Sequence, residues 1–164
     1  VDPEVRFRLG TAYLGLDQPS LAREQFIQGL ESAPGDAKLI EGIAAALVET
    51  GQRDELFRLL RRQAEQTRSV DDYIRYGRFA TLVGDADVGE EALLTAARID
   101  EGRTLEPQLA LANFYRTIGD SAQELTRLRM ALFLDPSNEE LITRIAERGE
   151  VAGPAFVLQP LERQ

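Results

Sequence analysis

The strongest constraint in this sequence is a recurrence. Tyr13 and Tyr115 stand three ~34-residue periods apart, and so do Pro34 and Pro136. Small residues return on the same phase at Gly10, Ala44, Gly77 and Ala112, and large apolar residues at Phe26, Leu60, Leu93 and Leu128. A period of this length is neither that of a helix nor that of a strand. It marks one supersecondary unit that cannot bury its apolar face alone and must stack on its neighbours.

Within a period the spacing is helical. Leu9 and Tyr13 share one helix face, and Ala22, Phe26 and Gly29 line another. Pro3 suits the first turn of a helix because its missing N–H has no partner there anyway. Pro19 and Ser20 open a second helix that runs to about Ser32, and Pro34-Gly35 closes the unit. Gly10 and Ala22 facing the ring of Phe26 give a small-against-large contact between antiparallel helices. Gly51, Gly84 and Gly119 are expected to make the turns of the later units. The pairs Asp87 with Glu90 and Ser121 with Glu124 are expected to be capping boxes, and Ser137-x-x-Glu140 is expected to open a ninth helix.

Arg6, Leu9, Gly10, Tyr13, Ala22, Phe26, Gly29 and Pro34 together resemble the tetratricopeptide (TPR) repeat, with Arg6 where that family prefers Trp. The resemblance implies an all-α fold, a TPR-type right-handed superhelix of antiparallel helix pairs (an α-solenoid) with four repeats and a C-terminal capping helix. The expected domain spans 1–149, with repeats at approximately 3–36, 37–69, 70–104 and 105–136 and the capping helix at 137–149. That last helix has a narrow apolar stripe of Leu141, Ile142 and Ile145, backed by Glu139, Thr143, Arg144, Glu147 and Arg148. Residues 150–164, with Pro154, Pro160 and the run Phe156-Val157-Leu158, read as a tail or linker expected to pack on the final helix. The opening Val1-Asp2-Pro3-Glu4 looks like an inter-repeat linker, so the chain is expected to be a fragment of a larger bacterial TPR protein.

Composition removes whole classes of chemistry. The sequence has no cysteine and no histidine, which excludes disulfides, thiolate metal sites and His-based triads. No phosphate loop or nucleophile elbow occurs, so an enzyme is not expected, and neither are cofactors. A net charge of -9 disfavours nucleic acid and anionic membranes at long range. No apolar run reaches the ~18–20 residues of a membrane span. The compartment stays open between the cytoplasm and the periplasm of a bacterium, because a cysteine-free chain suits both.

In the family the resemblance implies, partners lie in a concave groove lined by the first helix of each repeat. Carried onto this sequence, the partner-binding residues are Phe7, Arg8, Thr11, Glu41, Ile74, Arg75, Arg78, Leu109, Asn113 and Arg116. The family's clamp for chaperone tails is rejected. It would need Lys, Asn, Asn, Lys and Arg where this chain has Phe7, Thr11, Gly42, Asp71 and Arg75, and only Arg75 fits. What remains is an apolar half followed by an arginine-bearing half, which fits a protein or peptide partner with an acidic segment. Against that, Asp71 and Asp72 are expected to neutralise Arg75 and Arg78 along their own helix. Arg58, Arg61 and Arg62 form a second basic face, read either as a docking patch or as a solvated face paired with Glu55 and Glu65. The alternative to a scaffold is a structural spacer or self-associating element of a larger envelope, secretion or polysaccharide-export machine.

Overall fold

The computed structural model describes residues 2–33, 36–150 and 153–164. Among these residues the elements are nine α-helices and two short 3-10 turns, with no strand. They fall into two compact units, Val1–Arg68 and Ser69–Gln164. The expected unit end at Pro34-Gly35 lies outside the described residues.

The first unit holds α1 (Pro3–Gly15), α2 (Pro19–Ser32), α3 (Ala37–Glu49) and α4 (Arg53–Thr67). Gly10 of α1 lies against the ring of Phe26 of α2, and Arg6 lies against Gly29, which is the order of an antiparallel pair. A Cβ at Gly10 would stand 2.3 Å from Phe26, so the ring occupies the volume that a side chain would need. The non-consensus Arg6 lies across α2 and donates to Oε1 of the buried Gln25 at 2.5 Å. Its stem is packed while its charge meets an amide. Ile40, Ile43, Ala44 and Leu47 of α3 and Leu56 and Leu60 of α4 are all buried on the expected phase.

The second unit holds α5 (Val70–Leu82), α6 (Ala86–Asp100), α7 (Glu106–Ile118), α8 (Ser121–Leu134) and α9 (Glu139–Glu147). Here Gly77 meets Leu93, and the Gly77 and Gly89 backbones approach so closely that a Cβ on either would meet the other's carbonyl oxygen at 3.0–3.2 Å. Ala96, Ala97, Ala110, Leu111, Phe114 and Tyr115 complete this core. A second cluster, of Ala112, Leu128, Ala131, Leu132, Leu141 and Ile145, joins α7, α8 and α9.

Gly51, Gly84 and Gly119 turn the chain at φ +73°, +88° and +82°, in the left-handed region that glycine enters without penalty. The first hairpin instead uses Asp17 at φ +56°. The caps differ from the sequence expectation. The cap of α6 is Asp85, accepting from Val88 N at 3.3 Å, and that of α8 is Asp120, accepting from Gln123 N at 3.0 Å. Asn138 caps α9 by accepting from Leu141 N at 3.1 Å. The turn glycine explains the first two corrections: a single residue follows Gly84 or Gly119 before the helix begins, so that residue is the cap.

The glutamates expected in capping boxes serve elsewhere. Glu90 accepts from the Tyr115 hydroxyl at 2.6 Å. Glu124, 2% exposed, pairs with Arg144 at 3.3 Å and with Arg148 of the segment after α9. Arg144 therefore does not belong to a solvated back of the capping helix; its guanidinium turns inward to the buried carboxylate.

Residues 153–164 run back over the second unit. Phe156 and Val157 pack on the α7–α8–α9 cluster, and Leu158 N donates to the Arg129 carbonyl of α8 at 3.2 Å. The segment expected as a tail is thus seated chiefly on α8, with α9 reached through the shared cluster.

Two outcomes test this packing. Gly10→Ala should cost about 1–3 kcal/mol by forcing the Phe26 ring aside. Gly15→Ala, whose Cβ meets nothing within 4 Å, should stabilise by about 0.4–1 kcal/mol. Urea denaturation of both variants separates the two effects. Burial, and then the bond to Glu90, push the Tyr115 hydroxyl up to about 12 from an ordinary 10.0. A raised folded value means its stabilising contribution is whole below pH 10.0 and is lost as pH rises through about 12. Tyr115→Phe should remove the tyrosinate absorbance step near pH 12.

Candidate functional site

The first helix of each pair carries the expected binding residues, and each unit places them differently. In the first unit Arg8 is exposed and paired with Glu4 at 3.0 Å on its own helix. Thr11 is exposed, and its hydroxyl donates to the Phe7 carbonyl at 3.0 Å. Glu41 is exposed. Phe7 is half-buried between α2 and α3: its ring lies 6.3 Å from the Phe26 ring and would stand 3.2 Å from a Cβ at Gly42. Phe7 therefore spends much of its surface joining α1 to α3.

In the second unit the same helix face separates into packed, tethered and free side chains. Ile74 is buried with Leu93 and Phe114, and Leu109 leans on the α7–α8–α9 cluster. Arg75 is tethered. It pairs with Asp72 at 2.6 Å, and both side chains are largely buried, at 16% and 8% exposure. Arg78, Asn113 and Arg116 are exposed. Among the described residues neither Arg78 nor Arg116 has an ion pair, so Asp71 does not hold Arg78 as the sequence pattern had implied.

Arg78 and Asn113 meet at one recess. It is open, about 320 Å³ in volume, and lies between α5 and α7 with Leu93 of α6 at its base. Its floor is Leu93, Ala110 and Phe114; its rim adds Thr81, Leu82 and Thr117. Leu82 is 74% exposed, the most exposed of the large apolar residues described. The Thr81 and Thr117 hydroxyls donate to carbonyls one turn back, to Gly77 and Asn113, so both are already satisfied within their own helices. The recess thus offers an apolar floor, one untethered guanidinium and one free amide within a single wall.

Leu82, Phe114 and Thr117 were missed by sequence reasoning. Leu82 did carry a signal. The packing stripe of α5 runs Tyr73, Tyr76, Gly77, Ala80, and a leucine two residues past Ala80 projects to the opposite flank. Phe114 carried none, because an aromatic beside the repeat-phase Tyr115 reads as core, and it is indeed 3% exposed while its edge forms floor.

The second basic face behaves as a paired surface. Arg58 meets Glu55 at 2.9 Å, Arg61 meets Glu65 at 2.8 Å and Arg62 reaches across to Glu31 at 3.1 Å. Arg58 and Arg62, with Leu21, Ile27 and Leu59, border a shallow recess of about 630 Å³ between α2 and α4. Every arginine of that trio already has a carboxylate, so the face offers little net charge to a ligand. Among the described residues no cluster suited to a metal ion occurs, and no helix is long and apolar enough to cross a membrane.

No family model matches the chain, and no curated protein matches it. Solved structures do. The chain is similar to PilW, a widely conserved type IV pilus biogenesis factor, at 16% identity, covering 88% of this chain and 67% of that one with a TM-score of 0.57. It is also similar to MamA of AMB-1, at 21% identity, covering 88% of this chain and 79% of that one with a TM-score of 0.50. A thermophilic TPR protein of Thermus thermophilus aligns at 18% identity over 88% of this chain and 97% of that one, with a TM-score of 0.45. Likeness to PilW and MamA at these identities shows the fold alone, an all-α helical repeat.

The contrast between tethered and free arginines is measurable. Arg75→Ala removes the guanidinium from a largely buried carboxylate and should cost about 1–3 kcal/mol. Arg78→Ala and Arg116→Ala should each change stability by less than about 0.5 kcal/mol. Chemical denaturation of the three variants checks the order.

Proposed function

With an all-α TPR-type helical repeat as the premise, we propose that this chain is a protein-interaction scaffold whose second unit takes a partner segment with an apolar part and an acidic part. The observation that carries this reading is the recess between α5 and α7. An apolar floor gives a desolvated seat for one or two partner side chains. Beside it stands Arg78, charged, exposed and, among the described residues, without an ion pair, and Arg116 lies about one turn further along α7 from Asn113. A guanidinium in that position grips a carboxylate in a bidentate manner, and a free Asn amide can bind a partner's backbone.

Arg75 drops out of the recognition set, since its partner Asp72 is nearly buried and on the same helix. Its role is to hold the wall from which Arg78 projects. The net charge of -9 gives an acidic partner no long-range attraction, so recognition of its carboxylates is a short-range event.

The test is a selection of displayed peptides on the chain, followed by affinity measurements on the enriched sequences. Enriched peptides should combine an aliphatic or aromatic residue with Asp or Glu. The double substitution Arg78→Ala with Arg116→Ala, and separately Leu82→Asp, should each lower their affinity by about ten-fold or more. Unchanged affinity in both variants removes the recess from the reading. Concentration-dependent light scattering with no enriched peptide favours the spacer alternative.

A further inference from the structure

The segment 153–164 is bound to the second unit as a ligand is bound to a receptor. Its contacts run through two short 3-10 turns, Pro154–Phe156 and Leu161–Arg163, and the stretch between them. The Phe156 ring lies under the Arg129 guanidinium, 4.5 Å from centroid to Cζ, and the Arg129 Nε donates to the Phe156 carbonyl at 2.6 Å. Leu158 N donates to the Arg129 carbonyl at 3.2 Å. Pro160 is buried on Gly102, where a Cβ would stand 2.7 Å from the proline ring. Glu162 ends the series, with Oε1 bonded to Arg127 at 2.8 Å and Oε2 accepting from the Gln108 amide at 2.9 Å. Arg127 also donates to Gln108 Oε1 at 3.0 Å, so the receptor side is pre-assembled from α7 and α8.

That receptor is polar where simple closure would be apolar. Arg127 is 5% exposed, Gln108 is fully buried, and among the described residues the Arg127 Nε has no hydrogen-bond partner. Burying a guanidinium and an amide costs desolvation that an apolar patch of equal volume avoids. What the polar version adds is selectivity for a carboxylate at one place. The stretch that joins the segment to α9 is bounded by Gly149 and Gly153, and a Cβ on either would meet nothing within 4 Å.

We propose that the face formed by α7, α8 and the α6–α7 loop is a receptor for peptide segments of the pattern Phe-x-x-x-Pro-x-Glu, filled in cis by residues 156–162 and open to a partner protein's segment of that pattern when it displaces them. The anchor is the glutamate in the Arg127–Gln108 seat; the aromatic on Arg129 fixes direction and register. The site is separate from the α5–α7 recess and independent of its occupant. Attachment through a short linker gives the cis segment an effective concentration on the order of millimolar. A free peptide therefore competes poorly until the cis anchor is weakened.

The experiment uses the whole chain and a fluorescein-labelled synthetic peptide of residues 153–164. The chain carrying Glu162→Gln should bind this peptide at least ten-fold more tightly than the unaltered chain does. On that variant, peptides carrying Glu162→Gln or Phe156→Ala should lose at least ten-fold in affinity. Arg61→Ala, at an exposed residue of α4, added to the same variant should leave the affinity unchanged. Equal binding by both chains, or equal binding of the altered peptides, overturns the proposal. A second measurement needs no altered chain: millimolar unlabelled peptide added to the unaltered protein should accelerate hydrogen exchange at the Leu158 amide. An unchanged rate there, with no saturable binding to the variant, also overturns it.

Discussion

The contact on which the rest of the molecule depends is a side chain set against the absence of one. Gly10 against Phe26 and Gly77 against Leu93 bring the paired helices closer than any Cβ would allow. Ala44 and Ala112, with Leu60 and Leu128, repeat the theme in the other pairs, and all four of these side chains are essentially buried. Close approach fixes the crossing of each pair, since large ridges then enter grooves emptied by small residues. Everything on the first-helix face follows from that crossing. It decides that Ile74 faces the core while Arg78, four residues on, clears the helix and reaches solvent.

Buried charge is the second theme, and it belongs to the second unit. Glu124 joins Arg144 and Arg148 to close the end of the α7–α8–α9 cluster. Asp72 holds Arg75, and Asp100 accepts from Arg103 N, Thr104 N and the Thr104 hydroxyl to fix the α6–α7 loop. Glu162 joins Arg127 and Gln108. Burial alone would raise the Glu162 carboxyl, but bonds from Arg127, its own backbone N–H and Gln108 outweigh it and hold the group below its ordinary 4.5. Such groups add little net stability compared with apolar packing, yet each tolerates only one partner geometry.

The fold was legible because its determinants are local and periodic. The phase of Gly10, Ala44, Gly77 and Ala112, the turn glycines and the buried stripe all lie within one repeat and recur in the next. The candidate binding residues were legible as positions but not as states. Sequence spacing could not tell that Arg75 is tethered and Arg78 is not, because Asp71 lies at helical spacings from both and Asp72 from Arg75. The caps of α6 and α8 were displaced by one or two residues because the preceding glycine turn, not the Ser/Thr/Asp-to-Glu spacing, sets the helix start. The seat of residues 153–164 was invisible. Arg127 and Gln108 are separated from Glu162 by more than one repeat, and no periodicity links a segment after the last α-helix to a helix face.

The turn glycines have a consequence for how such a chain varies over descent. Gly51, Gly84 and Gly119 reverse the chain through nearly the same dihedral angle. A duplication or deletion cut at equivalent points in two repeats would therefore rejoin backbone of the same direction and phase, and the lateral packing of small on large would continue across the junction. The number of units can change in whole steps while the composition of the binding wall changes residue by residue. Reach and recognition are, in that sense, separately heritable in this architecture.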